Sequence, residues 1–445
     1  MKRIVSLFLA LSMSAALLAG CGGASGSGGT QTSGSAQTSG SAQAAAAFTP
    51  SMDPAASADV EIVGRLDNFE ALEAVIQEFN KIYPNVSVNY SKMDDYANSM
   101  PSHVMGSDPP EIFMSFRSHF EANPELADAA LDLNELGLNL DILAPENVAA
   151  CSFDGKLLRI PVALNYQGAV VNRTLLEKEG LAVPTTYKEF LSVCDTLVDK
   201  GYTPLQGYPD TIYAMLLFNE WRARLAQENH SAAIFDALNS GADGSGEYLR
   251  KSFAILADYR DRGYFDNTVN SAIEDSYDKA ILYFFQGNTP FLICSAETFS
   301  GMKKRETKSQ EFTAQPFTYE FCELPVSDLG AVAIADVWNA FSIAKNSSNV
   351  EWAKEFIRFL FTPDNLNKMA QVKGLPTVVA AGSDDSRFAS LKDAEKLYSS
   401  EMNVSSAATQ TYSALAGKVC TGACTVDEAV EQYPGLMRET LGTEK

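Results

Sequence analysis

Histidine is nearly absent, with 3 residues among 445, at His103, His119 and His230. None stands in an HExxH pattern or beside a cysteine at ligand spacing, so no zinc site is expected. No P-loop or GxGxxG opens a helix after a strand, which removes the common phosphate cradles. Basic residues are also scarce: 34 Lys and Arg face 56 Asp and Glu, a formal charge of −22. Nucleic acid needs clustered cations and anionic lipid attracts polybasic segments, so the charge argues against both. Ser276-Tyr277-Asp278-Lys279 and Ser300-Gly301-Met302-Lys303 match SxxK, yet neither SDN nor KTG occurs, so the serine-acylase pattern is incomplete. Asp94-Asp95 and Asp384-Asp385 are adjacent acids, and neighbours in helix or strand point apart rather than flanking one bond. The chain reads as a non-enzyme with no cofactor and no metal.

What is present begins with an address. Lys2 and Arg3 precede an apolar run from Ile4 to Leu18 and small residues before Cys21, the three parts of a secretory signal, too short for a stable membrane span. Leu18-Ala19-Gly20-Cys21 resembles the bacterial lipobox, in which the cysteine thiol receives a diacylglycerol and becomes the new N-terminus. The plainer alternative is an ordinary signal with an incidental cysteine. Two acyl chains would anchor the protein lastingly at the extracytoplasmic face of the cell membrane. Loss of residues 1–20 would leave 32 basic against 56 acidic residues, a charge of −24. Gly22 to Met52 carries no charge and repeats TSGSAQ at Thr32 to Gln37 and Thr38 to Gln43. With few large apolar groups to offset its entropy, residues 21–57 read as a disordered tether. A Gly/Ser-rich chain of this length spans about 30 to 35 Å.

The remainder is long enough for two domains. Cys151, Cys194, Cys294 and Cys322 sit in apolar surroundings and read as small core residues. Cys420 and Cys424, in CTGAC, form the one close pair, and export favours a bridge there slightly over two thiols. Val60 to Gly64 reads as a strand. Asp67 and Glu70 read as a capping box for a helix with Leu72, Val75, Ile76, Phe79 and Tyr83 on one face, stopped by Pro84. Val86, Val88 and Tyr90 alternate as a strand, and Glu111 to Phe116 reads as a buried one. Thr186 with Glu189, and Ser348 with Glu351, read as caps of later helices, Thr362-Pro363 as the start of another, Tyr277 to Gln286 as helix and Pro290 to Cys294 as a short strand. A long helical region is expected from Ile212. The βαβ succession predicts an α/β fold with a mostly parallel sheet and ligands at the carboxyl ends of its strands.

Several segments in order resemble the family 1 extracellular solute-binding proteins, the lipid-anchored receptors of ABC importers for sugars and oligosaccharides. They are SDPPEIFMSF at Ser107, GKLLRIPVALNYQGAVVNRTLLEKEGLAVPTTYKEFL at Gly155, AILYFFQGNTPFLICSAE at Ala280, and FSIAKNSSNVEWAKEFIRFLFTPDNLNKMA at Phe341 followed by GLPT at Gly374. The resemblance implies the two-lobe periplasmic-binding-protein-like fold, with hinge strands and an interlobe cleft. The lobes would comprise 58–164 with 290–335, and 165–289 with 336–445, crossing near Asn165, Ser295 and Asp336. Two features depart from the common pattern: Asp336-Val337-Trp338 stands where many members have paired glycines, and Ala296-Glu297 where many have a tryptophan.

A sugar site needs flat aromatic platforms together with carboxylates, amides or a guanidinium for the hydroxyls. Trp221 and Trp338 fall where the resemblance puts cleft walls, whereas Trp352 reads as helix packing. Asp67 and Arg117 follow strands and Phe116 ends one; Asn165 and Tyr166 lie at a crossing; Glu297 follows the Cys294 strand and Asp336 precedes Trp338. The implied mechanism is capture of a small solute by hinge closure and delivery by a monomeric receptor to permease subunits in the membrane. The alternatives in another class are a solute sensor signalling to a membrane kinase, and an adhesin that keeps the fold without transport.

Overall fold

The computed structural model describes residues 48–207, 231–273, 276–380, 386–391, 395–398 and 404–442. The signal, Cys21, most of the tether, Trp221 and much of the helical region expected from Ile212 lie outside them. Eleven strands are described: β1 (Ala58–Gly64), β2 (Val86–Lys92), β3 (Ile112–Ser115), β4 (Ser152–Phe153), β5 (Lys156–Leu157), β6 (Ile160–Asn172), β7 (Leu205–Gln206), β8 (Phe291–Ser295), β9 (Tyr319–Cys322), β10 (Val332–Ile343) and β11 (Glu395–Tyr398). β4 and β5 pair as a separate hairpin. The others form one sheet in the order β2-β1-β3-β10-β6-β8-β7, with β11 on β10 and β9 on β6.

The sheet is mixed, which corrects the expectation of a mostly parallel one. β1 runs parallel to β2 and β3, and β7 parallel to β8. β10, however, is antiparallel to β3 and β6, and β6 is antiparallel to β8 and β9. The cause is the length of β6 and β10, 13 and 12 residues. One carries the chain across the sheet and the other brings it back, so their directions oppose. Asn165 stands opposite Asp336, and Gln167 stands opposite both Ile334 and Ser295.

Strand pairing runs across the expected division of the lobes. β8 joins the second half of β6 and β7, not β1 to β3, while the end of β10 lies directly on β3. Two apolar cores follow. One gathers Val60, Leu72, Phe79, Ile112, Phe341, Phe356 and Leu360. The other gathers Phe190, Leu197, Phe253, Tyr259, Tyr412, Leu415 and Tyr433. Each such side chain contributes roughly 1.5–3 kcal/mol on full burial.

Local signals set most helix limits. The Glu70–Ile82 helix buries Leu72, Val75, Ile76 and Phe79 as its spacing requires. It begins after Phe69 without a side-chain cap, so the Asp67 and Glu70 capping box is not formed. The Val350–Leu360 helix likewise starts after Asn349 without a side-chain cap; Glu351, the expected partner of Ser348, pairs with Lys354 at 2.6 Å. In contrast, Thr186 and Glu189 make a reciprocal capping box, and Thr362 caps a helix whose first residue is Pro363. Trp352 packs edge-on against Tyr83, ring centroids 5.1 Å apart, as a core residue should. Cys420 and Cys424 are both buried thiols, not a bridge; the Cys424 Sγ–H donates to the Thr425 carbonyl at 3.3 Å. Among the described residues no helix is long and apolar enough to cross a membrane, and no group of three or more His, Cys, Asp or Glu is placed to hold a metal ion.

Candidate functional site

Where β6 and β10 cross, the ladder is irregular. Val337 opposes Leu164 and Asn339 opposes Ala163, which leaves Trp338 as the extra residue of a bulge. A bulge bends its strand and re-aims the side chains on it, a device that recurs beside binding sites. Trp338 thereby lies just past the carboxyl end of β3, whose Ser115 pairs with Ala340. Phe69 meets the indole edge-on at 5.8 Å, and the Lys373 ammonium lies 4.6 Å from the ring centroid. The indole is only 4 % exposed, and its Nε1 has no hydrogen-bond partner.

Glu297 occupies the first turn of the Ala296–Met302 helix, which Ser295 caps through its Oγ. The Glu297 backbone N–H donates to Asn165 Oδ1 at 3.0 Å, tying this helix to the crossing strand. Its carboxylate Oε1 lies 3.4 Å from Lys373 Nζ. Lys373 ends the Pro363–Lys373 helix; Gly374 follows with φ +78°, a left-handed conformation that glycine adopts without strain. Ser300 Oγ donates to the Lys373 carbonyl at 2.5 Å, and the Leu164 N–H donates to the Pro376 carbonyl at 2.9 Å. Four elements thus converge on Asn165, Glu297, Trp338 and Lys373, with Asp336 half-buried opposite Asn165.

The other expected residues divide. Tyr166 is buried within the first core, so its ring serves packing. Phe116 lies half-buried at the end of β3, with the Arg65 guanidinium 5.2 Å from its ring centroid. Arg117 pairs with Glu121 at 3.0 Å. Asp67 pairs with Lys92 at 2.6 Å on a solvent-exposed edge instead of reaching the crossing. Next to Phe116, His119 is buried and accepts the Phe116 N–H on Nδ1 at 3.4 Å. Burial, then the Arg159 and Arg65 charges, push its pKa down to about 4, so it is neutral.

Sequence reasoning missed Lys373 and Phe69. Lys373 stands immediately before the quoted GLPT, but a terminal helix lysine normally reads as a favourable charge at the dipole's negative end. The SxxK serines also find ordinary uses: Ser276 Oγ accepts the Lys279 N–H at 3.2 Å, and Ser300 holds the Lys373 carbonyl.

A family model for bacterial extracellular solute-binding proteins matches residues 74–396. The chain belongs to that family. Among curated relatives, the multiple sugar-binding protein of Streptococcus mutans is 20% identical over 327 residues, 71% of this chain and 73% of that one. A family 1 extracellular solute-binding protein from Bifidobacterium longum subsp. infantis superposes with a TM-score of 0.66 at 16% identity, covering 87% of this chain and 100% of its own. The solute-binding protein RafE in complex with raffinose gives 0.65 at 17%, covering 86% and 100%. These likenesses establish the two-lobe α/β fold.

Proposed function

We propose that this family member captures a sugar or oligosaccharide between two closing lobes and delivers it to an ABC permease, from a lipid anchor at Cys21. One lobe would be built on β1 to β3 with the end of β10, and the other on β7 and β8 with the second half of β6. The observation that carries the reading is the convergence of Asn165, Glu297, Trp338 and Lys373 on the bulged crossing, where both parts of the sheet meet. Amide, carboxylate and ammonium are the groups that satisfy hydroxyls when water is expelled. The sugar-binding relatives support the same solute class.

Closure follows from two-sided contact, since a solute touching both lobes binds the closed form better and shifts the equilibrium toward it. Thermal melting of residues 48–445 against mono- and oligosaccharides tests the reading. A sugar present at a hundred times its Kd stabilises the native state by about 2.7 kcal/mol. A broad panel that leaves the melt unmoved would count decisively against a sugar receptor.

A further inference from the structure

We infer that Lys373 and Glu297 form the solute-facing clamp of this site, gripping two neighbouring hydroxyls, and that Trp338 is a positioning residue behind them and not the stacking platform. The inference rests on reading the crossing as the sugar site. Its ground is the order of layers. The indole is almost wholly covered, whereas the Lys373 and Glu297 side chains keep 28% and 26% exposure. One face of the ring is occupied by the ammonium, which denies that face to a stacking sugar.

The clamp is held from behind. The electron-rich indole face attracts the ammonium. Ser300 fixes the Lys373 carbonyl, and the left-handed Gly374 turn is crowded, with Arg387 Nη1 and Ser300 Oγ 2.6 and 2.8 Å from where a Cβ would stand. On the other side, Asn165 fixes the Glu297 backbone. An ammonium offers three donors and a carboxylate accepts at both oxygens. Set 3.4 Å apart, they meet a vicinal diol in complementary fashion: one hydroxyl oxygen accepts from Nζ while its neighbour donates to a carboxylate oxygen. A ligand lacking one of the two hydroxyls leaves one hydrogen bond of the clamp unmade, which is where such sites gain discrimination.

The test uses raffinose, melibiose, xylobiose and chitobiose, with calorimetric titration of whichever stabilises the wild type most. Lys373→Met keeps the stem and removes the charge; Glu297→Gln keeps the shape and removes the acceptor charge. Each should weaken binding about tenfold to a hundredfold while the melt shifts little, and the double variant should lose little more than either single one. Lys373→Arg and Trp338→Phe, which retain the cation and a ring, should recover most of the affinity that Lys373→Met and Trp338→Leu lose. Wild-type affinity in folded Lys373→Met or Glu297→Gln overturns the clamp while the receptor reading stands. If no probe stabilises the wild type, the receptor reading fails and the clamp fails with it.

Discussion

Glu121 reaches from the first core to the second: its Oε2 accepts from Ser406 Oγ at 3.2 Å, while its Oε1 takes Arg117 Nε at 3.0 Å. Glu121 follows Phe120, which packs in the first core, and Ser406 opens the Ser406–Cys420 helix, whose Tyr412 and Leu415 lie in the second. A carboxylate at a helix N-terminus is favoured by the backbone dipole as well as by the hydroxyl. The contact therefore fastens one half of the molecule to the other.

Glu121→Ala should release that fastening without disturbing either core. One partly exposed charge-assisted hydrogen bond is worth on the order of 1 kcal/mol, so the open population should rise roughly fivefold. Small-angle scattering of the sugar-free protein is the measurement, and the expected outcome is a larger radius of gyration at an unchanged melting temperature. Superimposable scattering curves would show that the contact holds nothing shut.

Trp338→Ala removes a ring buried against Phe69 and capped by Lys373. The cost should be roughly 3 to 5 kcal/mol of folding stability, as for other buried aromatic truncations. Urea unfolding of the variant beside the wild type reads it directly. A loss below about 1 kcal/mol would return the indole to the role of an exposed platform.

Much of the fold was legible from local signals, although the Asp67 with Glu70 and Ser348 with Glu351 boxes did not form. The Thr186 and Glu189 box, Thr362-Pro363, and the Leu72, Val75, Ile76, Phe79 stripe each state their element within a few residues. Sheet direction was not, because β6 and β10 read as buried runs whichever way their neighbours point. For the site, Asn165 and Trp338 were singled out through the resemblance and Glu297 from its place after the Cys294 strand. Their meeting with Lys373 depends on contacts spanning more than 200 residues, from Asn165 to Lys373, and on a one-residue bulge at Trp338. Asp67 and Tyr166 looked equivalent in sequence. Only packing separates the exposed partner of Lys92 from the buried ring.

His119 should make stability depend on pH between neutrality and mild acid. Its folded pKa, about 4, lies below the ordinary imidazole value of about 6.5, so the unfolded chain takes up the proton first as pH falls. The stability linked to neutral His119 is therefore full above about pH 6.5 and is lost progressively toward pH 4, at up to about 1.4 kcal/mol per pH unit. His119→Asn should flatten that part of the unfolding free energy against pH. Parallel wild-type and variant curves would place the titration elsewhere.

Cys21→Ala tests the anchor independently of the fold. Without the thiol no diacylglycerol can be attached, so label from a radioactive fatty acid should vanish. Melting of the body should be unchanged, because both described apolar cores are built from residues that follow Cys21 by many positions in the chain. Equal label in both proteins would refute the lipobox reading.

Glu355 should govern how firmly the body holds the end of that tether. The carboxylate is 1% exposed and accepts from Ser51 N at 2.7 Å, Ser51 Oγ at 2.6 Å, Tyr83 OH at 2.5 Å and Arg358 Nη1 at 2.7 Å. Burial alone would raise its pKa; the Ser51 and Tyr83 hydrogen bonds and the Arg358 charge outweigh it and hold the group below the usual carboxylate range. A depressed folded pKa means stability present above about pH 4.5 and lost as pH falls through the folded value. Tyr83 bounds the other side. Burial and its bond to Glu355 push the phenol up to about 12, so the contribution of its neutral form is full below pH 10 and declines above it. Glu355→Ala leaves the buried Tyr83 hydroxyl without its carboxylate acceptor, while Arg358 keeps Ser51 Oγ, and should cost roughly 1 to 3 kcal/mol. Because Ser51 loses two of its three bonds to the body, keeping only the one its Oγ accepts from Arg358 Nη1 at 2.9 Å, limited proteolysis should cut the variant near Thr49 to Asp53 faster than the wild type. Equal cutting rates would mean that Phe48, packed edge-on against Phe359 at 5.1 Å, holds the strap without help from the carboxylate.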